Sequence, residues 1–190
     1  MGFILFKMSD YFEKCAIFID GGYLNRTLKK YFKEQKIDYL KFCENICSDL
    51  KLKRLRTYFY HCMPIVRKNN EEDLKKQVGM QKFLTNLKRL PRFEVKLGRL
   101  QMIGNQFKQK MIDVLMSLDI TTMSYENQIQ HAVLIAGDSD FIPAIKRAKD
   151  YGIIVHLYYH PSSVHNEILD EIDELHEINV DLINRSRINQ

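Results

Sequence analysis

Four aspartates hold the chemistry that can be read from this chain. Asp20 ends the apolar run Cys15-Ala-Ile-Phe-Ile-Asp20 and is followed by two glycines. Asp138 and Asp140 flank Ser139 in Ala136-Gly-Asp-Ser-Asp140, directly after a second apolar run, and Asp113 lies near the start of a helical stretch. Like charges drawn together cannot all ionise near pH 7 unless a cation or basic groups compensate. Carboxylate oxygens suit Mg²⁺ or Mn²⁺, which also accept waters and a substrate phosphate. Such an ion can activate water for in-line attack and stabilise the leaving oxygen, so phosphodiester hydrolysis needs no Ser, Cys or His nucleophile. Each acid also has a plainer use. Asp138 or Ser139 can cap the next helix, Asp20-Gly-Gly can be an ordinary strand-to-helix turn, and Asp113 can complement a helix dipole. The joint pattern carries the metal-site reading; Asp119, further along the same helical stretch, is secondary to it.

Other chemistries find less support. The chain contains no GxGxxG, GxxxxGK[ST] or GxSxG motif, which argues against nucleotide cofactors and a serine triad. Cys15, Cys43, Cys47 and Cys62 include no CxxC pair and read as reduced, buried thiols, so zinc is not implied. His61, His131, His156, His160 and His165 are scattered; His131 and His156 fall at strand positions, where core or edge roles are expected.

Charge suggests the substrate. The first 166 residues hold 27 bases against 17 acids, net +10, whereas residues 167 to 190 hold seven acids and two bases, net −5. A basic body attracts polyanions by counterion release, and nucleic acid is the commonest of these in the cytosol; lysines serving only solubility are the plainer alternative. One basic cluster is Lys51, Lys53, Arg54 and Arg56. A second runs through Lys88, Arg89, Arg92, Lys96, Arg99, Lys108 and Lys110, with Phe93 and Phe107 interleaved as possible base-stacking groups. The second ends beside Asp113 and is the better substrate path. A small-molecule phosphatase would not need so basic a body.

The composition, 45% hydrophobic and 28% charged with only 8 Gly and 4 Pro in 190 residues, is that of a compact domain able to bury a core without disulfides. The run Phe3-Ile-Leu-Phe6 is too short for a signal h-region, Phe6 occupies the position where myristoylation needs Ser or Thr, and no stretch approaches a membrane span. A cytoplasmic protein is expected.

The elements must gather the acids. Strands are expected at Cys15–Asp20, Leu55–Met63, Phe93–Met102, His131–Ala136 and Ile153–Tyr159, and a hairpin turn at Gly104-Asn105 leading into Gln106–Lys110. Helices are expected at Leu24–Lys36, Tyr39–Leu50, Glu71–Leu90 (Leu74, Val78, Phe83, Leu84 and Leu87 inward), Met111–Tyr125 (Ile112, Leu115, Met116 and Leu118 inward) and Phe141–Tyr151. The tail should give a short helix at Glu167–Leu175 and an edge strand at Ile178–Leu182. Alternating strands and helices with continuous apolar runs predict a three-layer α/β/α sandwich around a mainly parallel sheet, with ligands beyond the carboxyl ends of the strands. With no linker or repeat, the chain reads as one domain, 1–190, with a core at about 14–160 and an acidic extension from about 165.

The segments Ala16-Ile-Phe-Ile-Asp-Gly-Gly-Tyr-Leu24, Lys110-Met-Ile-Asp113 followed by Asp119, and Val133-Leu-Ile-Ala-Gly-Asp-Ser-Asp-Phe141 together resemble the NYN domain, particularly its LabA-like branch among the PIN-like nucleases. They occur in family order over most of the chain, and Gly-Asp-Ser-Asp-Phe is the most specific. The resemblance implies a PIN-like sandwich and a Mg²⁺- or Mn²⁺-dependent endoribonuclease acting on single-stranded or structured RNA. Carried over by position, Asp20, Asp113, Asp138 and Asp140 become the metal-binding and catalytic residues. Ser139 matches a small polar position that orients water or phosphate, and Lys110 a basic position ahead of the helix. Arg99 and Lys108 join them as expected substrate-binding residues. Two positions depart from the family: Tyr23 stands where many members have Asn, with Asn25 two residues later as the substitute, and Met111 stands where Gly often follows the Lys. A non-catalytic RNA-binding module on the same scaffold is the alternative. The oligomeric state is left open, a homo-oligomer included.

Overall fold

A computed structural model describes residues 12–64, 66, 70–103 and 106–188; for 99–103 and 106–110 it describes the main chain. Seven strands form one sheet among these residues: β1 (Lys14–Asp20), β2 (Lys53–Cys62), β3 (Phe93–Ile103), β4 (Gln106–Lys110), β5 (His131–Ile135), β6 (Ile154–Tyr159) and β7 (Glu174–Glu177), in the order β4-β3-β2-β1-β5-β6-β7. Every pairing is parallel except β3 with β4. The continuous apolar runs of β1 and β5 have both faces covered, as interior parallel strands require.

One face is packed by α1 (Gly21–Tyr31), α2 (Tyr39–Asp49), α3 (Glu71–Lys88) and α7 (Val180–Arg185), whose Leu24, Phe42, Ile46, Leu84 and Leu182 meet Ile17, Ile19 and Val133. The other is packed by α4 (Ile112–Tyr125), α5 (Ile142–Asp150) and α6 (Asn166–Leu169), whose Met116, Ile120, Ile145 and Ile168 meet Phe18, Leu134 and Leu157. This is the expected three-layer sandwich with a parallel centre. All four cysteines are buried and reduced. No described helix is long and apolar enough to cross a membrane.

Helix starts are set by short polar side chains. Asp20, Asp38, Asn70 and Asn179 each accept main-chain amides at the first turns of α1, α2, α3 and α7, satisfying donors that a helix start leaves unpaired. Asp20 thereby starts α1 at Gly21, earlier than the apolar pattern indicates. Gly21 is there because α1 lies so close to β2 that a Cβ would stand 2.4 Å from the Phe59 ring and 2.9 Å from the Tyr60 carbonyl.

Several expectations need correction. Leu118 is 58% exposed, because α4 turns Ile112, Met116, Ile120 and Met123 inward and leaves Leu118 on its flank. Leu74 and Val78 are exposed, and only the second half of α3, at Leu84 and Leu87, reaches the core. The edge strand of the tail is Glu174–Glu177, while 180–185 is helical because the Asn179 side chain accepts the Leu182 amide. A 3₁₀ turn, Ser139–Phe141, precedes α5. The turn expected at Gly104-Asn105 lies outside the described residues.

Candidate active site at the carboxyl edge of the sheet

Strand order reverses at β1, which has β2 on one side and β5 on the other, and such switch points open a crevice beyond the strand ends. Asp20 is the last residue of β1. Its Oδ1 accepts the Tyr23 amide at 3.0 Å, and the residue is only 9% exposed. Ile19 pairs with Ile135, so the chain leaving β5 passes Asp20 within three residues. There Asp138 caps the 3₁₀ turn, with Oδ1 accepting the Asp140 amide at 3.1 Å. Asp113 is the second residue of α4 and approaches from the other side.

The four acids influence one another electrostatically. Burial raises the Asp113 carboxyl above the ordinary range, and the charges of Asp20, Asp138 and Asp140 raise it further. Asp20 is also raised, chiefly by burial; the Tyr23 amide, the Arg26 cation and the Gly22 amide oppose that shift, and Asp138 adds to it. An all-oxygen donor set under mutual repulsion fits a hard divalent cation. The acids do not form a closed cage: among the described residues, the three ligand atoms found within 4.8 Å of one another belong to His156, Glu174 and His176. An open arrangement suits an ion that keeps several of its waters.

Ser139 faces a neighbour that local sequence does not reveal. Its amide and hydroxyl lie 3.4 and 3.3 Å from His165 Nδ1, which is also 3.6 Å from Asp138 Oδ1. His165 arrives from 26 residues downstream, anchored by its amide on the Gly137 carbonyl. A groove of about 570 Å³ runs between α4 and α5, with Asp113 and Asp140 on its wall together with Ser117, Leu118 and Arg147.

The family departures take defined positions. Tyr23 is buried, and its hydroxyl accepts the His160 amide at 2.9 Å and the Ser163 hydroxyl at 3.3 Å. Its ring lies so near Gly137 that a Cβ there would come within 2.4 Å. Tyr23 therefore clasps α1 to the segment after β6. Asn25 accepts a hydrogen bond from the Tyr39 hydroxyl at 3.2 Å and lines a cleft with Lys29 and Phe83. Met111 adopts φ 78° at the start of α4, a left-handed conformation that glycine takes without strain.

The basic clusters separate. Lys53 and Arg54 open β2, at the sheet edge opposite the aspartates. Arg54 binds the Thr57 hydroxyl and the Pro91 and Arg92 carbonyls, and lies over the Phe93 ring. Phe93 is core, 7% exposed, and no base-stacking platform. Lys96 and the Tyr60 hydroxyl hold the two oxygens of Asp119 at 2.7 and 2.6 Å, which gives that acid a structural role between α4 and the sheet. Arg99 pairs in register with Lys110, and Lys108 with Gln101, on the β3–β4 hairpin; the side chains of Arg99, Phe107, Lys108 and Lys110 lie outside the described residues.

Comparison with known proteins agrees with this architecture. The profile of the NYN domain matches residues 14–179. An uncharacterized protein of Sinorhizobium fredii, y4oD, is 36% identical over 70 residues, 36% of this chain and 32% of that protein, so the match spans about a third of the relative's length. The crystal structure of a protein of unknown function from Vibrio parahaemolyticus superposes with a TM-score of 0.66 at 22% identity, over 91% of this chain and 97% of that one, and shares the fold.

Proposed function

The chain belongs to the NYN domain family, a PIN-like, nuclease-like family whose members generally depend on a divalent metal, and on that premise we propose that it is a Mg²⁺- or Mn²⁺-dependent endoribonuclease. The observation that carries the reading is the carboxyl of Asp113, which feels the charges of Asp20, Asp138 and Asp140 at once. In this proposal the four aspartates hold the metal, and the bound ion supplies Lewis acidity and an activated water for in-line attack on phosphorus. Asp20 is oriented by the Tyr23 amide and sheltered by burial. Asp138 is aimed by the turn that it caps, and Ser139 presents its hydroxyl beside it to position water or a phosphate oxygen. The substrate is single-stranded or structured RNA, with Arg99, Lys108 and Lys110 as phosphate contacts on the hairpin and Asn25 at the flank. The whole chain acts as one NYN domain with an acidic C-terminal extension, and works in the cytoplasm.

The test is cleavage of end-labelled single-stranded RNA by the wild type and Asp138→Asn, purified side by side, in Mn²⁺, Mg²⁺ or EDTA. Cutting that requires the metal and is lost in the mutant is the expected result. RNA that is bound with the usual salt dependence but never cut would replace this reading with that of a non-catalytic RNA-binding module.

A further inference from the structure

We propose that His156, Glu174 and His176 form a zinc-binding site, distinct from the aspartates, that fastens the edge strand β7 to β6. His156 pairs with Glu174, and Tyr158 with His176, across parallel β6 and β7. Alternation along a strand therefore puts all three side chains on one face of the sheet. His156 Nδ1 lies 3.2 Å from Glu174 Oε2 and 3.3 Å from His176 Nε2, and the last two atoms are 3.6 Å apart. A tetrahedral ion with bonds of about 2.0–2.1 Å spaces its ligand atoms by about 3.3–3.4 Å. The triangle already has nearly that size. Its outer side is open, Glu174 being 52% and His176 26% exposed, which leaves a fourth position for water.

A hydrogen-bonded chain behind the triangle prepares the donor. Glu13 Oε2 lies 2.7 Å from His131 Nε2, and His131 Nδ1 lies 2.8 Å from His156 Nε2. With His131 neutral, its proton sits on Nε2 against the Glu13 carboxylate and its Nδ1 offers a lone pair to His156. His156 must then donate from Nε2, which leaves the Nδ1 lone pair directed at Glu174 and His176. Buttressing of a metal-bound imidazole by an outer carboxylate is the usual arrangement at such sites. A lone pair 3.2 Å from a carboxylate oxygen calls for a proton or a cation between them, and two imidazoles with one carboxylate suit Zn²⁺. The site lies across the middle of β6 and shares no residue with the aspartate edge.

The experiment uses untagged, metal-stripped full chain in excess Mg²⁺, titrated with Zn²⁺ by calorimetry and with Co²⁺ by visible absorption. The wild type and Asp138→Asn should each bind one Zn²⁺ and give the intense Co²⁺ spectrum of tetrahedral coordination. His176→Ala should lose both signals, and the exposed Glu174→Gln should bind at least tenfold more weakly, which keeps the test decisive if His176→Ala misfolds. Zinc at a hundred times Kd should raise the wild-type Tm by about 5–10 °C. Absence of Zn²⁺ binding, or binding that survives His176→Ala and Glu174→Gln but is lost in Asp138→Asn, overturns the proposal and leaves a proton within the triangle.

Discussion

The two buried features of Asp20 pull in opposite directions. Its carboxyl caps α1 with one oxygen, yet burial and the Asp138 charge disfavour its ionised form. Asparagine keeps a capping oxygen and loses the charge. Asp20→Asn should therefore melt at or above the wild-type Tm while RNA cleavage falls by roughly a hundredfold or more; a normal cleavage rate would remove Asp20 from the site. Met111 makes a similar comparison available at the start of α4. Its φ of 78° costs a side chain about 1–2 kcal/mol, so Met111→Gly should stabilise the fold by about 1 kcal/mol, read as a higher urea midpoint at unchanged slope.

At the scale of elements, the site depends on how closely helices approach the sheet. Because α1 starts against β2, the Cβ of Gly21→Ala would enter the Phe59 ring and press on the Tyr60 carbonyl. Overpacking of this kind costs roughly 1–3 kcal/mol, and it should also shift Asp20, the preceding residue. Urea unfolding should show the loss, and cleavage should drop further than stability alone explains. Most elements were legible from periodicity, since burial of β1 and β5 on both faces leaves continuous apolar runs. The exposure of Leu74, Val78 and Leu118 was not, because an apolar residue on a helix flank looks the same in sequence whether or not a neighbour covers it.

For the whole molecule, charge is arranged in pairs as well as fields. The acidic tail is fastened to the basic body by Lys146 with Glu171, Lys149 with Asp173, and Arg185 with Asp49. Acid should loosen the whole structure through His61. It is buried, its Nδ1 has no hydrogen-bond partner among the described residues, and burial, with Arg26, holds it below its ordinary 6.5. The unfolded chain takes up that proton first, so this contribution to stability is complete above pH 6.5 and is lost as pH falls from there toward the folded value. In chemical denaturation across pH 7.5 to 5, His61→Leu should show a shallower loss than wild type; equal slopes would mean that His61 does not titrate differently on folding.

What the amino-acid sequence determined by itself is local. The apolar runs at 15–19 and 131–136 specify interior strands, the acids that follow them fall at strand ends, and Asp-Gly-Gly or Gly-Asp-Ser-Asp sets the turns that aim them, because periodicity and capping act within a few residues. What only the tertiary structure decided depends on which strand lies beside which. The direction of β2 sends Lys53 and Arg54 to the edge away from the aspartates, the path after β6 brings His165 to Ser139, and the register of β6 with β7 sets His156 beside Glu174. Those contacts join residues 18 to 40 positions apart. Their geometry comes from packing the whole sheet, and no short stretch of the chain specifies it.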